Sequence, residues 1–217
     1  MFFENRAHAG QHLVDVLRAQ KRDLHGYSVL GIARGGVTVG AEIASAFGLP
    51  LRAFCVDDFT VPEGRLLVTS VGSGALISFD SEKKEFVTQH ASDVRHLPVA
   101  DVDVHLTAVL QRTAMFNSGR PLLTTDRILL CDDGLVSGET AFLGAQALKA
   151  NGVRSILLAI PVVPKWFPDE PKDFEFVTWR VTTMKKPTSG IFYYSFPDVP
   201  DADVISAVHS FAGVLTL

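Results

Sequence analysis

The most constraining stretch of this chain is Ile128-Leu129-Leu130-Cys131-Asp132-Asp133-Gly134-Leu135-Val136-Ser137-Gly138-Glu139-Thr140. Its apolar run has no alternation, as expected of a parallel strand covered on both faces. It delivers two adjacent carboxylates to the strand's carboxyl end, where open α/β sheets bind their ligands. The loop behind them offers small residues, hydroxyls at Ser137 and Thr140 and the start of a helix, which together make a nest for one phosphate. Carboxylates beside a phosphate cradle need a chemical reason, because the two repel. A ribose 5-phosphate supplies it, with the phosphate on the loop and the 2- and 3-hydroxyls donating to Asp132 and Asp133.

The flanking pattern repeats the same unit. Asn5 caps a helix marked by Ala9, Leu13, Val16, Leu17 and Leu24. A strand over Ser28 to Ala33 runs into Arg34-Gly35-Gly36, then a buried helix over Val37 to Phe47 stops at Gly48-Leu49-Pro50, and a second strand covers Leu51 to Val56. Val102, Leu106, Val109 and Leu110 fit one face of a later helix, which Asn117-Ser118-Gly119-Arg120-Pro121 ends. After the strand at Ile128 to Cys131 come a helix to Lys149, a cap at Gly152 and a strand over Ser155 to Ile160. The expected fold is therefore α/β, a doubly wound, mainly parallel sheet. Prolines 168, 171, 187, 197 and 200 cut the tail into short pieces, so residues 164–200 are expected to form a small cap within a single domain spanning 1–217. A last helix follows, marked by Val204, Val208, Phe211, Ala212 and Leu215. Residues 57–98, β-rich from Leu66 to Phe79, carry no motif that names a role.

Composition narrows the partners. With 20 basic against 24 acidic side chains and a net charge of -4, no global positive field attracts nucleic acid or anionic lipid, so any phosphate must be gripped locally. Cys55 and Cys131 lie in apolar runs without metal or redox spacing and read as packed thiols of a reducing compartment. The longest apolar stretch, Ile156 to Val163, is broken by Pro161 and far short of the ~20 residues of a membrane span. The opening Met1-Phe2-Phe3-Glu4-Asn5-Arg6 lacks the plan of a signal peptide. A soluble, cytoplasmic protein is expected.

The segment from Ile128 to Thr140 resembles the 5-phosphoribosyl-1-pyrophosphate (PRPP) motif of the type I phosphoribosyltransferases, and Gly31-Ile32-Ala33-Arg34-Gly35-Gly36-Val37 resembles that family's pyrophosphate loop. Arg6-Ala7-His8-Ala9-Gly10 and Tyr193-Tyr194-Ser195-Phe196 are similar to a predicted-phosphoribosyltransferase branch of unknown acceptor. The resemblance implies that Asp132, Asp133 and Arg34 act in catalysis. It implies a 5-phosphate loop of Gly134, Leu135, Val136, Ser137, Gly138, Glu139 and Thr140, and a pyrophosphate loop of Ala33, Arg34, Gly35 and Gly36. It also implies Mg2+ bound with PRPP rather than held directly by the protein, PRPP or a nucleoside monophosphate as ligand, a homodimer, and a cis or otherwise unusual Ala33-Arg34 peptide. Transfer of ribose 5-phosphate to a nitrogen acceptor is the implied reaction.

One departure bears on that reaction. Where the branch carries a basic pair after the second strand, this chain has Val56-Asp57-Asp58-Phe59. Two unit charges about 6 Å apart at an effective dielectric of ~20 interact by roughly 3 kcal/mol, so a reversed charge beside pyrophosphate would shift affinity strongly. The rival reading is therefore a non-catalytic PRPP or nucleotide sensor. Other readings remain beside these. The acidic pair also suits a receiver domain or a plain turn and helix cap. His8 and His12 have metal-capable spacing but read as solvent-facing, and Phe192, Tyr193, Tyr194 and Phe196 read as core, subunit contact or a nucleobase stack.

Overall fold

The computed structural model describes residues 2–61, 64–69, 75–80, 85–90, 99–122, 124–134, 139–165, 174–184 and 188–214. Helix α1 (Arg6–Ala19) starts where expected, because the Asn5 side chain accepts from the His8 amide at 3.0 Å. Strand β1 (Ser28–Ile32) leads into α2 (Gly35–Phe47), which ends at Gly48 with φ 64°, a left-handed conformation that glycine adopts without a Cβ penalty. Strand β2 (Leu51–Phe54) follows. Farther along come α3 (Val99–Phe116), β7 (Arg127–Cys131), α4 (Glu139–Ala150) and β8 (Ser155–Ala159). Near the end stand β9 (Val162–Pro164), β10 (Glu175–Val177), β11 (Arg180–Thr182), a 3-10 turn (Ser189–Phe192) and α5 (Asp201–Ser210).

The central sheet has the order β10-β8-β7-β1-β2, with every pairing parallel. Strands β1, β2, β7 and β8 are buried on both faces, which is why their apolar runs do not alternate. Val29, Leu51, Ala53, Leu129 and Cys131 pack with Leu13 and Leu17 of α1, Val39 and Ile43 of α2, Val109 of α3 and Val204 of α5. Leu30, Ile32, Phe54, Ile128 and Leu130 pack with Ala141, Ala145 and Leu148 of α4. The doubly wound α/β fold is thus a direct consequence of a hydrophobic run that needs two covers. Cys55 and Cys131 are free, buried thiols, and burial pushes both above their ordinary range. Among the described residues no helix is long and apolar enough to cross a membrane.

Several local expectations change. The strand expected over Leu51 to Val56 divides at Cys55, where the chain leaves the central sheet. It then forms a separate antiparallel sheet of β3 (Val56–Val61), β4 (Gly64–Thr69), β5 (Ala75–Asp80) and β6 (Glu85–His90) in sequential order. The tail from 164 to 200 does more than lie over the sheet. Glu175–Val177 hydrogen-bonds alongside β8 as an edge strand, and β11 pairs in parallel with β9. The final helix stops at Ser210, leaving Phe211 and Ala212 beyond its end, and Leu215 lies outside the described residues.

His8 and His12 are partly covered rather than freely solvent-facing. Their rings lie 4.6 Å apart, His12 sits 4.8 Å from the Trp179 ring and 5.6 Å from Phe3, and His8 Nδ1 accepts from the Glu4 amide at 3.0 Å. Helical spacing alone could not reveal this, because the aromatic partners come from both termini. The aromatic group itself divides: Phe192 and Tyr193 are buried with Phe3, whereas Tyr194 is 73% exposed.

Candidate functional site

Two loops meet at the carboxyl ends of β1 and β7, which are neighbours in register, with Gly31 opposite Cys131. After β1 the chain passes through a cis Ala33–Arg34 peptide into α2. After β7 it presents Asp132 and Asp133. The loops approach so closely that only glycine fits between them. A Cβ on Gly36 would stand 2.4 Å from the Cys131 carbonyl oxygen, and one on Gly35 would stand 2.0 Å from Asp133 Oδ2. Gly35 and Gly36, expected to serve a ligand, therefore also join the two halves of the site.

The acidic loop is held from the far end of the chain. Arg6, the first residue of α1, donates from Nε to Asp133 Oδ2 at 2.7 Å and from a terminal nitrogen to the Pro197 carbonyl at 2.6 Å. Its guanidinium lies 3.6 Å from the centroid of the Phe196 ring, a cation–π contact that fixes the fork's plane. The Tyr193 hydroxyl donates to the Asp133 carbonyl and the Ser189 hydroxyl donates to that of Gly134 at 3.2 Å. The Asp133 amide donates to Asp132 Oδ1 at 2.9 Å.

Burial raises the pKa of both carboxyls. For Asp132 the neighbouring Asp133 charge adds to the effect, while Arg6 opposes it for both. Burial, with the nearby Asp133 charge, likewise pushes the Tyr193 phenol upward, so it stays a donor. Two partly buried carboxyl groups with one guanidinium, paired to Asp133, form a polar site short of positive charge.

The other loop is open. Arg34 and Asp201, the first residue of α5, approach to 3.8 Å with both side chains about half exposed. A cavity of about 300 Å3 beside them is lined by Ala33, Arg34, Cys55, Val56, Arg112 and Asp201. Asp57 is absent from that lining. Its carboxylate instead accepts from His105 Nδ1 of α3 at 2.7 Å. The Asp58 side chain, like Leu135, Val136, Ser137 and Gly138 of the expected phosphate loop, lies outside what the structure describes. Glu139 and Thr140 open α4 immediately after that loop.

The structure thus brings Asp132, Asp133, Gly134, Ala33, Arg34, Gly35 and Gly36 to one end of the sheet. Sequence reasoning missed Arg6, Ser189, Tyr193, Arg112 and Asp201 as site residues. For Arg6 a signal existed: a cation in the first turn of a helix opposes the helix dipole, and such a position asks for an anionic partner.

These features define an α/β protein with a two-loop site at the carboxyl end of its parallel sheet. No family model matches the sequence. Two proteins of Mycobacterium tuberculosis, strains CDC 1551 and H37Rv, bear the name "Putative phosphoribosyl transferase" and are each 28% identical over 169 residues, 75% of this chain. The chain spans 36% of the length of those relatives. The crystal structure of TT1426 from Thermus thermophilus shares the fold, with a TM-score of 0.73, 24% identity and coverage of 98% of this chain and 100% of that one. A purine phosphoribosyltransferase from Pyrococcus horikoshii, at a TM-score of 0.43 and 17% identity over 88% of this chain and 89% of that one, is too distant to carry an argument. The chain is thus similar, over 75% of its length, to proteins that carry the phosphoribosyl transferase name, and it shares the fold of TT1426.

Proposed function

We propose that the protein binds PRPP and transfers ribose 5-phosphate to a nitrogen acceptor. The observation that carries this reading is the meeting of the acidic pair with the Ala33–Gly36 loop at one sheet end, close enough for Gly35 to abut Asp133. In the reaction the C1–oxygen bond to pyrophosphate breaks, a C1–nitrogen bond forms, and the acceptor nitrogen loses a proton. The 5-phosphate belongs on the loop from Gly134 to Thr140, at the start of α4.

Asp132 and Asp133 accept from the ribose hydroxyls, and Arg6 and Tyr193 keep the Asp133 segment in place. Arg34 and the amides of Gly35 and Gly36 stabilise charge on the departing pyrophosphate. Asp132 and Asp133 fit a divalent cation that arrives with the ligand, because its charge would offset the penalty that burial places on their ionised forms. Magnesium arriving with PRPP would supply Lewis-acid neutralisation of the leaving diphosphate. A cytoplasmic homodimer belongs to the same proposal, resting on the family resemblance.

The sensor reading drew its motive from Asp57 and Asp58. Asp57 is occupied by His105 and lies outside the cavity lining, which favours the transferase. Isothermal titration tests the proposal. PRPP with magnesium should bind wild-type protein, and Asp133→Asn should weaken it at least tenfold, or ~1.4 kcal/mol. Equal affinity in the two proteins would overturn the assignment of the acidic pair. Absence of pyrophosphate release across a panel of nitrogen bases, with PRPP bound, would return the protein to the sensor class.

A further inference from the structure

The reversed charge at Asp57 raises a question that α3 answers. His105 and Arg112 are seven residues apart, two helical turns, and so share one face of α3. His105 takes the Asp57 carboxylate at 2.7 Å. Two turns on, Arg112 lines the cavity that Ala33, Arg34, Cys55, Val56 and Asp201 also line. Its positive charge reaches this corner. Burial pushes the Cys55 thiol up, and the nearby charges of Arg112 and Asp201 act on it in opposite directions, Arg112 drawing it down.

We propose that Arg112 is the second cation of the diphosphate subsite and, with Arg34, the residue that makes the protein prefer PRPP over ligands with a single phosphate. The proposal rests on the PRPP reading given above. Arg34 and Arg112 both line the cavity, and Asp201 is the one carboxylate among its described lining residues, so the described lining carries an excess positive charge. Among the described residues Arg112 takes part in no ion pair, whereas Arg34 approaches Asp201 at 3.8 Å. An exposed pair of that kind contributes ~0–1 kcal/mol and yields readily to a ligand of higher charge. Guanidinium forks match the paired oxygens of phosphate groups, and two of them from different elements suit a diphosphate better than a lone phosphate. The geometry also explains how a chain with acid at position 57 keeps a cationic pocket: α3 hydrogen-bonds the acid from one turn, through His105, and supplies the cation from another.

Arg112 is exposed, so its replacement leaves the core untouched. The experiment measures magnesium-dependent PRPP binding, with ribose 5-phosphate as the comparison ligand, for wild-type protein, Arg112→Ala and Arg112→Lys. The expected result is a PRPP affinity at least tenfold weaker in Arg112→Ala, partial recovery in Arg112→Lys, and ribose 5-phosphate affinity within twofold throughout. If wild type binds PRPP and Arg112→Ala binds it equally well, the inference about Arg112 is overturned while the PRPP reading stands. A parallel loss for both ligands also overturns it, because Arg112 would then act on the site as a whole. Wild-type protein that binds ribose 5-phosphate but not PRPP would overturn the PRPP reading and this inference together.

Discussion

The two loops at the sheet's ligand end solve different problems. The loop after β7 is clamped: Arg6, Tyr193 and Ser189 reach it from both ends of the chain, and the Asp133 and Arg6 side chains are only 14% and 10% exposed. The loop after β1 is open, its Arg34 side chain 44% exposed and paired loosely to Asp201. A ribose presents hydroxyls in a fixed stereochemical arrangement, so the groups that read it gain from being held still. A diphosphate is recognised chiefly by charge, and long exposed cations can gather round it after it arrives. The contrast separates a site that stores its geometry from one that stores its charge.

The largest expected effect comes from unlocking the clamped loop. Arg6→Met removes the guanidinium from Asp133 and leaves a carboxylate without its partner, a change that costs about 3–5 kcal/mol for a buried pair. At roughly 2–4 °C per kcal/mol for a chain of this size, the melting temperature should fall by about 10 °C. The double variant Arg6→Met with Asp133→Asn should recover much of that loss, since the stranded charge is gone. Thermal melts of the three proteins decide the matter. A single variant as stable as wild type would show that the acidic loop is not clamped by Arg6.

Much of this was legible in the residues. The apolar runs at Ser28, Leu51, Ile128 and Ser155 announced strands covered on both faces, and the cap at Asn5 and the left-handed Gly48 placed helix ends closely. The acidic pair and the Arg34–Gly36 turn were found because small residues and carboxylates in a fixed order have few other uses. The antiparallel sheet from Val56 to His90 was harder, because its pairing is set by loops and cross-strand contacts rather than by a run that names its own cover. The clamp was hidden for a different reason. Arg6 and Asp133 are 127 residues apart, and no local period links them. The packing of His12 against Trp179 was concealed in the same way, and the spacing on α1 pointed to solvent instead.

A second, smaller effect tests what clamping costs. Folding raises the pKa of Asp132 above its ordinary 3.8, so the folded state favours the neutral carboxyl. Its contribution to stability is present below 3.8 and is lost as pH rises through the raised value. The ligand-free protein should therefore lose, over that window, a component of stability that Asp132→Asn does not lose. Above the window the variant should be the more stable of the two, although it binds PRPP worse. Melting curves taken across the window read the difference directly, and a gap between the proteins that stays constant with pH would show that Asp132 carries no such burden.

The smallest expected effect falls on Asp57, and its smallness is informative. Removing a charge about 6 Å from a bound diphosphate would change the binding energy by roughly 3 kcal/mol at an effective dielectric of ~20, more than a hundredfold in affinity. Asp57 is instead paired with His105 and stands outside the cavity beside Arg34. Asp57→Asn keeps the shape and an oxygen for the His105 ring, so PRPP affinity should change by less than about threefold, or ~0.7 kcal/mol. A gain of tenfold or more on titration would place the Asp57 charge at the diphosphate and make the open loop the weak half of the site. The acid at 57 would then count as a lost cation, and the protein's preference would shift from PRPP toward ligands with a single phosphate. An affinity that barely moves leaves the charge of the open loop to Arg34, Arg112 and Asp201, the ionised side chains among the described residues that line its cavity.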